Sequence, residues 1–590
     1  MDNYEKVNNI TQGYADALEY DQRNREEATS DLLFRSGEQW DREDLISRQN
    51  AKRPSLVLDK VGQYVRKIVN QMNAQNPSLR VHAADETADP EMTTIFEGAI
   101  RDIEHSSNAK SARIKAHEDQ VSCGIGHYRI KYVLHPRQPY QVIKVAPIKD
   151  PLSVVWDPAS IEIDRSDARY CYVLRDIPLR AFKEKFKGKD PVDFAGELGS
   201  ETWDSVSFGY GEGQTVRVAE YWEKYKKKHN FIIDQQGMIH DVTGMDNEAI
   251  LGFNPVEGFK RDIDHVRYSL VSGNDILEEI KDYPCEYIPI IPVIGEEISF
   301  GSTTHRQGII RQMKDPARLY NYMMSIAMEQ MGQSVKSPYL VTNAMIKGNE
   351  EMWRHANMTS IPYLAYMPDR EAPSAKPERV APPQQHREQM MAAQSFLNDM
   401  AASAGMYDEA MGKQTNAKSG VAIQARQRES QITTNNFAAN FAASIRQEGR
   451  VVLSLIQALY TQERRIRIVQ SDGKQQFIDI NKRVFDPYKN EVRIVNNMTY
   501  GAYEVRAELG ASYGTIKQDS LNALMEIVKI NPQMMPFLMP QLANLIETPN
   551  ADELKEAVAS YQQMAFGGGQ SVQPNNAGAQ PQAALPAPPQ

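Results

Sequence analysis

Apolar residues in the first 120 positions recur at steps of three and four. Val61, Val65, Ile68, Val69 and Met72 form one such stripe, the period of a helix with one buried face, and the region is predicted to be mainly helical. Between residues 120 and 300 the period becomes two. His127-Tyr-Arg-Ile-Lys-Tyr-Val133 alternates. Val154-Val-Trp156, Tyr170-Cys-Tyr-Val-Leu174 and Val216-Arg-Val-Ala-Glu-Tyr-Trp222 have the branched and aromatic content of strands, with Asp-Pro pairs at 150 and 157 as breaks. The charge run that follows, Tyr225-Lys-Lys-Lys-His229, reads as a solvated loop. Gly209-Tyr-Gly-Glu-Gly213 reads as a flexible connector.

Helical periodicity returns near residue 315. Asp315-Pro316 has the form of a helix start, since Asp accepts from free N–H groups and Pro has none to leave unpaired. Tyr320, Met323, Ala327 and Met331 then step along one face, and Ser337-Pro338 should end the helix. Residues 316–335 would make a rod of about 30 Å. Loop-rich sequence runs to Pro382-Pro383, and a second helix is predicted from about 385 to Ala404, stopped at Gly405. Two helices bracketing an insertion make a stalk with a tip. Within that tip, Trp353 in Glu350-Glu351-Met-Trp-Arg354 is either a small-domain core residue or an exposed aromatic anchor.

Residues 406–420 are small and polar. A long helix is predicted from about 420 to 465, with Val451, Val452, Leu455, Ile456 and Leu459 on its apolar face. Arg465–Val469 and Phe477–Ile480 flank Asp472-Gly473 as a hairpin. Tyr503–Leu509 is a last strand, helices follow to about 563, and the Gly, Gln, Ala and Pro tail from Gly567 should be disordered.

Composition narrows the function. A chain of 590 residues with 41% apolar and 24% charged residues is globular and should hold three or more domains. Its net charge of −10 argues against a basic nucleic-acid binder as a whole-chain description. The longest apolar run, Tyr287–Ile294, is short and broken by proline, so no membrane span is expected. The N-terminus has neither the basic start nor the apolar core of a signal peptide. Cys123, Cys171 and Cys285 are too few and too scattered for a disulfide framework, which fits synthesis in a reducing cytoplasm.

Candidate chemistry is sparse. Gly510-Ala-Ser512-Tyr-Gly514 matches a nucleophile elbow, but the last histidine of the chain is His386, upstream of Ser512. Thr515 and Gln518 instead read as a capping box for the next helix. There is no C-x-x-C pair, and His117-Glu118 lacks a second histidine at helical spacing. Gly412-Lys413 is not followed by the Ser or Thr of a phosphate loop. No enzyme, metal or cofactor is expected. One reversal of charge stands out: from Lys413 to Arg450 there are six basic residues (Lys413, Lys418, Arg426, Arg428, Arg446, Arg450) against Glu429 and Glu448. Such an element is either an ordinary solvated face or a contact to backbone phosphate.

A resemblance runs through the chain. Gly308-Ile-Ile-Arg-Gln-Met-Lys-Asp-Pro-Ala-Arg-Leu-Tyr-Asn321 resembles the stem-helix entry of portal proteins from short-tailed, double-stranded DNA phages. Val218–Trp222, Ile288–Gly295, Lys418–Arg428 and Tyr503–Tyr513 are similar to the same family, in the same order. The similarity covers about residues 30 to 560. It departs in the tail after 563, which is too short and too rich in Pro and Gly for the helical barrel that ends some relatives.

The resemblance implies an α+β, mainly helical fold of wing, stem, clip and crown, assembled as a dodecameric ring around a central channel at one capsid vertex. The wing would be 1–304, the stem 305–336 and 385–404, and the clip 337–384. Residues 405–500 would form a channel loop and return through the wing, 501–563 the crown, and 564–590 a disordered tail. Stem contacts between neighbours fall to Tyr320, Met323, Ala327 and Met331. Clip contacts fall to Glu350, Glu351, Trp353 and Arg354, facing the terminase large subunit first and the head-to-tail adaptor later. Lys413, Lys418, Arg426 and Arg428 would face the double-stranded DNA in the channel. Major capsid and scaffolding proteins are further expected partners, in the host cytoplasm during assembly and then in the virion. A different ring-forming head–tail connector is the alternative, and a hydrolase using Ser512 a remote one. Charge is compatible with passage: twelve acidic copies would repel duplex DNA overall, so a channel with few cations lets it slide.

Overall fold

In the computed structural model, residues 3–75, 77–85, 88–196, 215–235, 239–246, 250–301, 303–335, 337–359, 361–371, 373–381, 386–406, 435–470, 475–486, 491–508, 524–531 and 538–539 are described. Residues 1–73 and 77–509 make one compact unit, and 74–76 with 510–590 make a second. Of the second, residues 524–530 are helical.

The first unit opens with helices α1 (Asn3–Ser36), α2 (Arg42–Asn50) and α3 (Val61–Gln75). Strand β1 (Ser78–Ala83) leads to α4 (Pro90–Ser107) and α5 (Ala109–Cys123). The predicted stripe on α3 is buried throughout. Asp89 caps α4 by accepting from Glu91 N–H, with Pro90 in the first turn, the favoured start of a helix.

Strands dominate next. β2 (Ile125–Leu134) lies between β3 (Gln141–Pro147) and β10 (Ile290–Ile294), antiparallel to both. A larger sheet has the order β4 (Val154–Trp156), β5 (Tyr170–Pro178), β6 (Thr215–Ile233), β8 (Glu257–Val271), β9 (Ile276–Tyr283), and β7 (Ile239–Asp241) pairs with β6. The short helix α6 (Leu179–Lys185) follows β5.

The lysine run is not a loop. It lies inside β6, which pairs continuously with β8 as far as Ile233 opposite Glu257. Lys226 stands opposite Asp264 and Lys228 opposite Asp262, while Lys227 reaches Asp282 at 3.0 Å. Opposite charges directly across a ladder favour pairing, so a run that looks like solvent-seeking sequence is half of a complementary strand pair.

After the hairpin β11 (Glu296–Phe300) and β12 (Thr303–Gln307), the chain enters α7 (Ile309–Val335). Gly308 is required at this entry, because a Cβ there would lie 2.4 Å from Ser122 O. The helix starts seven residues before the expected Asp315-Pro316, and Pro316 sits inside it. A proline inside a helix forfeits one backbone hydrogen bond. Packing outweighs that loss: Ile309, Ile310, Met313, Ala317 and Tyr320 share one core with α3. Arg311 and Lys314 also reach Asp31 of α1 at 3.0 and 2.6 Å.

The insertion holds β13 (Tyr339–Leu340), α8 (Asn343–Ile346), α9 (Glu350–Arg354) and β14 (Glu378–Arg379). Helix α10 (His386–Ser403) follows, as predicted, and ends at Gly405, whose φ of +63° suits a residue without a Cβ. Met406 N–H closes that end on Ala401 O at 2.8 Å. Helix α11 (Asn435–Leu459) threads the main core, where its predicted apolar residues Val451, Val452, Leu455 and Ile456 are buried. β15 (Arg464–Val469) and β16 (Gln475–Ile480) pair as the expected antiparallel strands, with the Asp472-Gly473 turn outside the described residues. β17 (Lys482–Asp486) pairs with β18 (Glu491–Val495), and β19 (Tyr503–Glu508) returns to pair with β1. The Gly209–Gly213 connector and the Gly567 tail also lie outside the described residues.

Candidate functional site

Two long helices and the insertion between them form the most distinctive local arrangement. α7 and α10 pack side by side, burying Ala393, Met400 and Ala404 with Ile310, Met313, Ala317 and Tyr320. Of the four residues assigned to contacts between neighbouring copies, Tyr320 and Ala327 are buried within the subunit, and Met323 packs partly against the same core. Met331 alone of the four is open, at 58% exposure, near the exposed Met328. The stripe read as a shared face is therefore mostly an internal one, because α3, the strap before it and α10 all lie on it.

The opposite side of that stripe holds a polar clamp missed in the sequence. Asn321 Oδ1 accepts from Leu58 N–H at 2.9 Å, and Ser325 Oγ accepts from Leu56 N–H at 3.0 Å. Asn321 also donates to Gln39 Oε1 at 2.7 Å. Arg48 lies 5.4 Å from the ring centres of both Trp40 and Tyr322, and Trp40 donates to Leu56 O at 2.9 Å. The extended strap before α3 is thus fastened to α7 by its backbone. The signal was present: Asn321, Ser325 and Glu329 at four-residue spacing are polar residues on a helix otherwise rich in Met.

At the base of the insertion, Tyr339 pairs with Arg379 and Leu340 with Glu378, and Val380 N–H donates to Pro338 O at 3.0 Å. Trp353 is half-buried. It packs edge-on against Tyr339, with ring centres 5.4 Å apart, and its indole N–H donates to Ala365 O at 2.8 Å. Trp353 is thus a structural post of the insertion whose outer part still meets solvent. Glu350, Glu351 and Arg354 surround it and are exposed. Glu350 accepts from Gly348 N–H at 3.0 Å, which lowers its carboxyl pKa. Tyr363, Met358, Leu340 and Met367 add exposed apolar surface to the same insertion.

The basic element divides in two. Lys413, Lys418, Arg426 and Arg428 lie outside the described residues, as does Ser512. Arg446 and Arg450, on α11, instead flank the buried Asp164 at 3.4 and 3.8 Å. Glu448 points into the core, where Arg113 donates to it at 2.7 and 2.9 Å and the Tyr128 hydroxyl at 2.9 Å. Burial pulls the Arg113 guanidinium pKa down, but Glu104 and Glu448 outweigh it and hold Arg113 charged. These three residues serve the fold, so the charge reversal narrows to residues 413–428.

Among the described residues no group of His, Cys, Asp and Glu could hold a metal, and no helix is long and apolar enough to cross a membrane. The three cysteines are free and buried.

Paired helices that carry an insertion, attached to a helix-and-strand body, are the frame of the first unit. The profile of the phage P22-like portal protein family matches residues 11–590, and the chain belongs to that family. It is similar to a portal protein of Acyrthosiphon pisum secondary endosymbiont phage 1, with 24% identity over 539 residues, covering 87% of this chain and 73% of the relative. The family is a structural one, of phage heads.

Proposed function

We propose that twelve copies of this chain close a ring at one capsid vertex, and that double-stranded DNA passes through its channel during packaging and ejection. The observation that carries this reading is the family match across nearly the whole chain, together with two packed helices that present an insertion. The stem is α7 with α10, the clip is the insertion, and the wing is the body before residue 305. Residues 405–500 supply a channel loop and return through the wing, 501–563 supply the crown, and 564–590 a tail. The terminase large subunit docks on the clip while the genome enters, and the tail adaptor replaces it afterwards. Capsid and scaffolding proteins meet the wing, first in the host cytoplasm and then in the virion.

Neighbouring stems touch through the exposed part of α7 that carries Met328 and Met331. Methionine suits such a contact because its flexible side chain fits small differences in tilt. Lys413, Lys418, Arg426 and Arg428 face the DNA backbone and guide it without trapping it. Negative-stain imaging of the purified protein should show rings with an open centre. Single copies, or closed discs, would overturn the reading.

A further inference from the structure

Beyond the core, β6 and β8 continue as a ladder in which one face carries a hydrogen-bonded histidine pair. Tyr225, Lys227, His229 and Phe231 of β6 share this face with Phe259, Arg261, Ile263 and His265 of β8, because alternate residues of a strand point the same way. His229 Nε2 lies 2.7 Å from His265 Nε2, and the rings stack with centres 4.9 Å apart. The outer nitrogens face carboxylates. His229 Nδ1 is 2.6 Å from Asp241 Oδ2 on β7, and His265 Nδ1 is 3.5 Å from Asp282 Oδ1 on β9.

Charged neighbours on this face include Asp241, Asp282, Lys227, Arg261, Glu223 and Arg267. Asp241 accepts from Thr243 N–H at 2.9 Å. Asp282 accepts from the Tyr225 hydroxyl and from Lys227 Nζ, the latter at 3.0 Å. Arg261 is the cross-strand neighbour of His229, and Arg267 lies over the Tyr225 ring at 4.6 Å while pairing with Glu223. The pair therefore ties four strands together: β6 and β8 directly, β7 through Asp241 and β9 through Asp282.

Proton counting fixes what this contact tolerates. Two facing imidazole nitrogens can hydrogen-bond only with one proton between them. In the neutral pair, His229 donates Nδ1–H to Asp241, so its Nε2 accepts from His265 Nε2–H. One added proton goes to His265 Nδ1, where it points at Asp282 and leaves the central bond intact. A second added proton has only His229 Nε2 left, which sets two N–H groups against each other at hydrogen-bond distance. We propose that His229 and His265 form a one-proton clasp, which holds the β6–β8 arm to β7 and β9 and releases it when both rings are charged.

The surroundings set which groups can change charge. Asp282 is held below the usual carboxylate range by its bonds from Tyr225 and Lys227. Burial raises Asp241, but donations from Thr243 and His229 outweigh this and leave it lowered. Both carboxylates thus stay ionised while the rings titrate. His265 is lowered by burial and then by the charge of His229, so the two rings resist being charged together. A histidine depressed in the folded state contributes stability above its ordinary pKa of about 6.5, and loses it as pH falls through the folded value. The released arm binds the extra proton, so acid favours release by up to about tenfold per pH unit.

Hydrogen–deuterium exchange of the full-length protein, corrected for intrinsic rates, tests this between pH 7.5 and 4.5. Peptides covering 224–233 and 257–266 should keep their protection to about pH 6 and lose on the order of tenfold below it, while β2 stays protected. His265→Gln can donate its amide N–H to a neutral His229 or turn its amide oxygen to accept from a protonated one, so its arm should stay protected at low pH. His265→Leu should be poorly protected at every pH. An arm insensitive to pH in the wild type would overturn the clasp. So would the same loss in His265→Gln, or equal loss in β2.

Discussion

The body around α11 and the insertion between α7 and α10 are held together in opposite ways. In the body, α4, α5, β2, β10 and α11 enclose large apolar side chains, and the charged Glu448 at their centre is fully bonded to Arg113 and Tyr128. In the insertion, Ser337 and Met345 are the buried residues among those described, and a two-rung ladder with a few polar bonds closes its base. Collective burial gives a region that fails as a whole when one partner is lost. Local bonds give a region whose surface can change while its outline persists, which suits the proposed docking of two successive partners.

The sharpest test of the body is Glu448→Ala. It leaves the Arg113 charge buried with Glu104 as its remaining carboxylate and the Tyr128 hydroxyl without its acid partner, at a cost of about 3 to 5 kcal/mol, and little soluble protein should remain by thermal melt or expression yield. Asp119→Asn should act in the other direction. Burial raises the Asp119 carboxyl from 3.8 to about 6, against the opposing pull of Lys115. A folded state that holds its proton more tightly than the unfolded one loses stability as pH rises, here between about 4 and 6. The variant should thus be more stable than wild type at pH 8, by about 2 to 3 kcal/mol, and no more stable at pH 3.5. Equal melting shifts at both values would show that Asp119 is not buried as an acid.

Trp353→Phe probes the insertion. It removes the bond to Ala365 O, worth about 0.5 to 1.5 kcal/mol, and should speed proteolysis within the insertion without shifting the melt of the body. A body-wide shift would break the contrast between the two regions. Smallest in stability is the double change Lys413→Ala with Lys418→Ala, since lysines that face a channel, as proposed, would contribute little to folding. Assembly should be untouched while packaged length or genome retention falls. Normal packaging and retention in phage carrying both changes would overturn the proposed contact of these lysines with the genome.

Much of the secondary structure was legible because a buried face imposes its period on the sequence, as in α3, β2 and the apolar side of α11. The entry to α7 was misread because local rules place Pro316 first, whereas Ile309, Ile310 and Met313 are committed by long-range packing. The lysine run was misread for a related reason: its partners Asp262, Asp264 and Asp282 are distant in sequence. Candidate surfaces were less legible still. Tyr320 and Ala327 satisfy a helical stripe equally well inside a subunit or between two, and periodicity carries no information about whose side chains cover it. Arg446 and Arg450 looked like free charge until the fold brought Asp164 beside them.

The ladder between β1 and β19 has a consequence for biosynthesis. Leu79 pairs with Ala507, and Gly449 of α11 lies against both Leu79 and Val505, so that a Cβ there would meet Val505 at 2.5 Å. A ribosome adding roughly 5 to 20 residues per second leaves β1 without its partner for about 20 to 90 s. During that interval the strand's edge and the apolar faces of α4 and α5 await segments not yet made. The nascent chain is therefore exposed to wrong pairing with other copies on the same message, and the body closes only after β19 has been made.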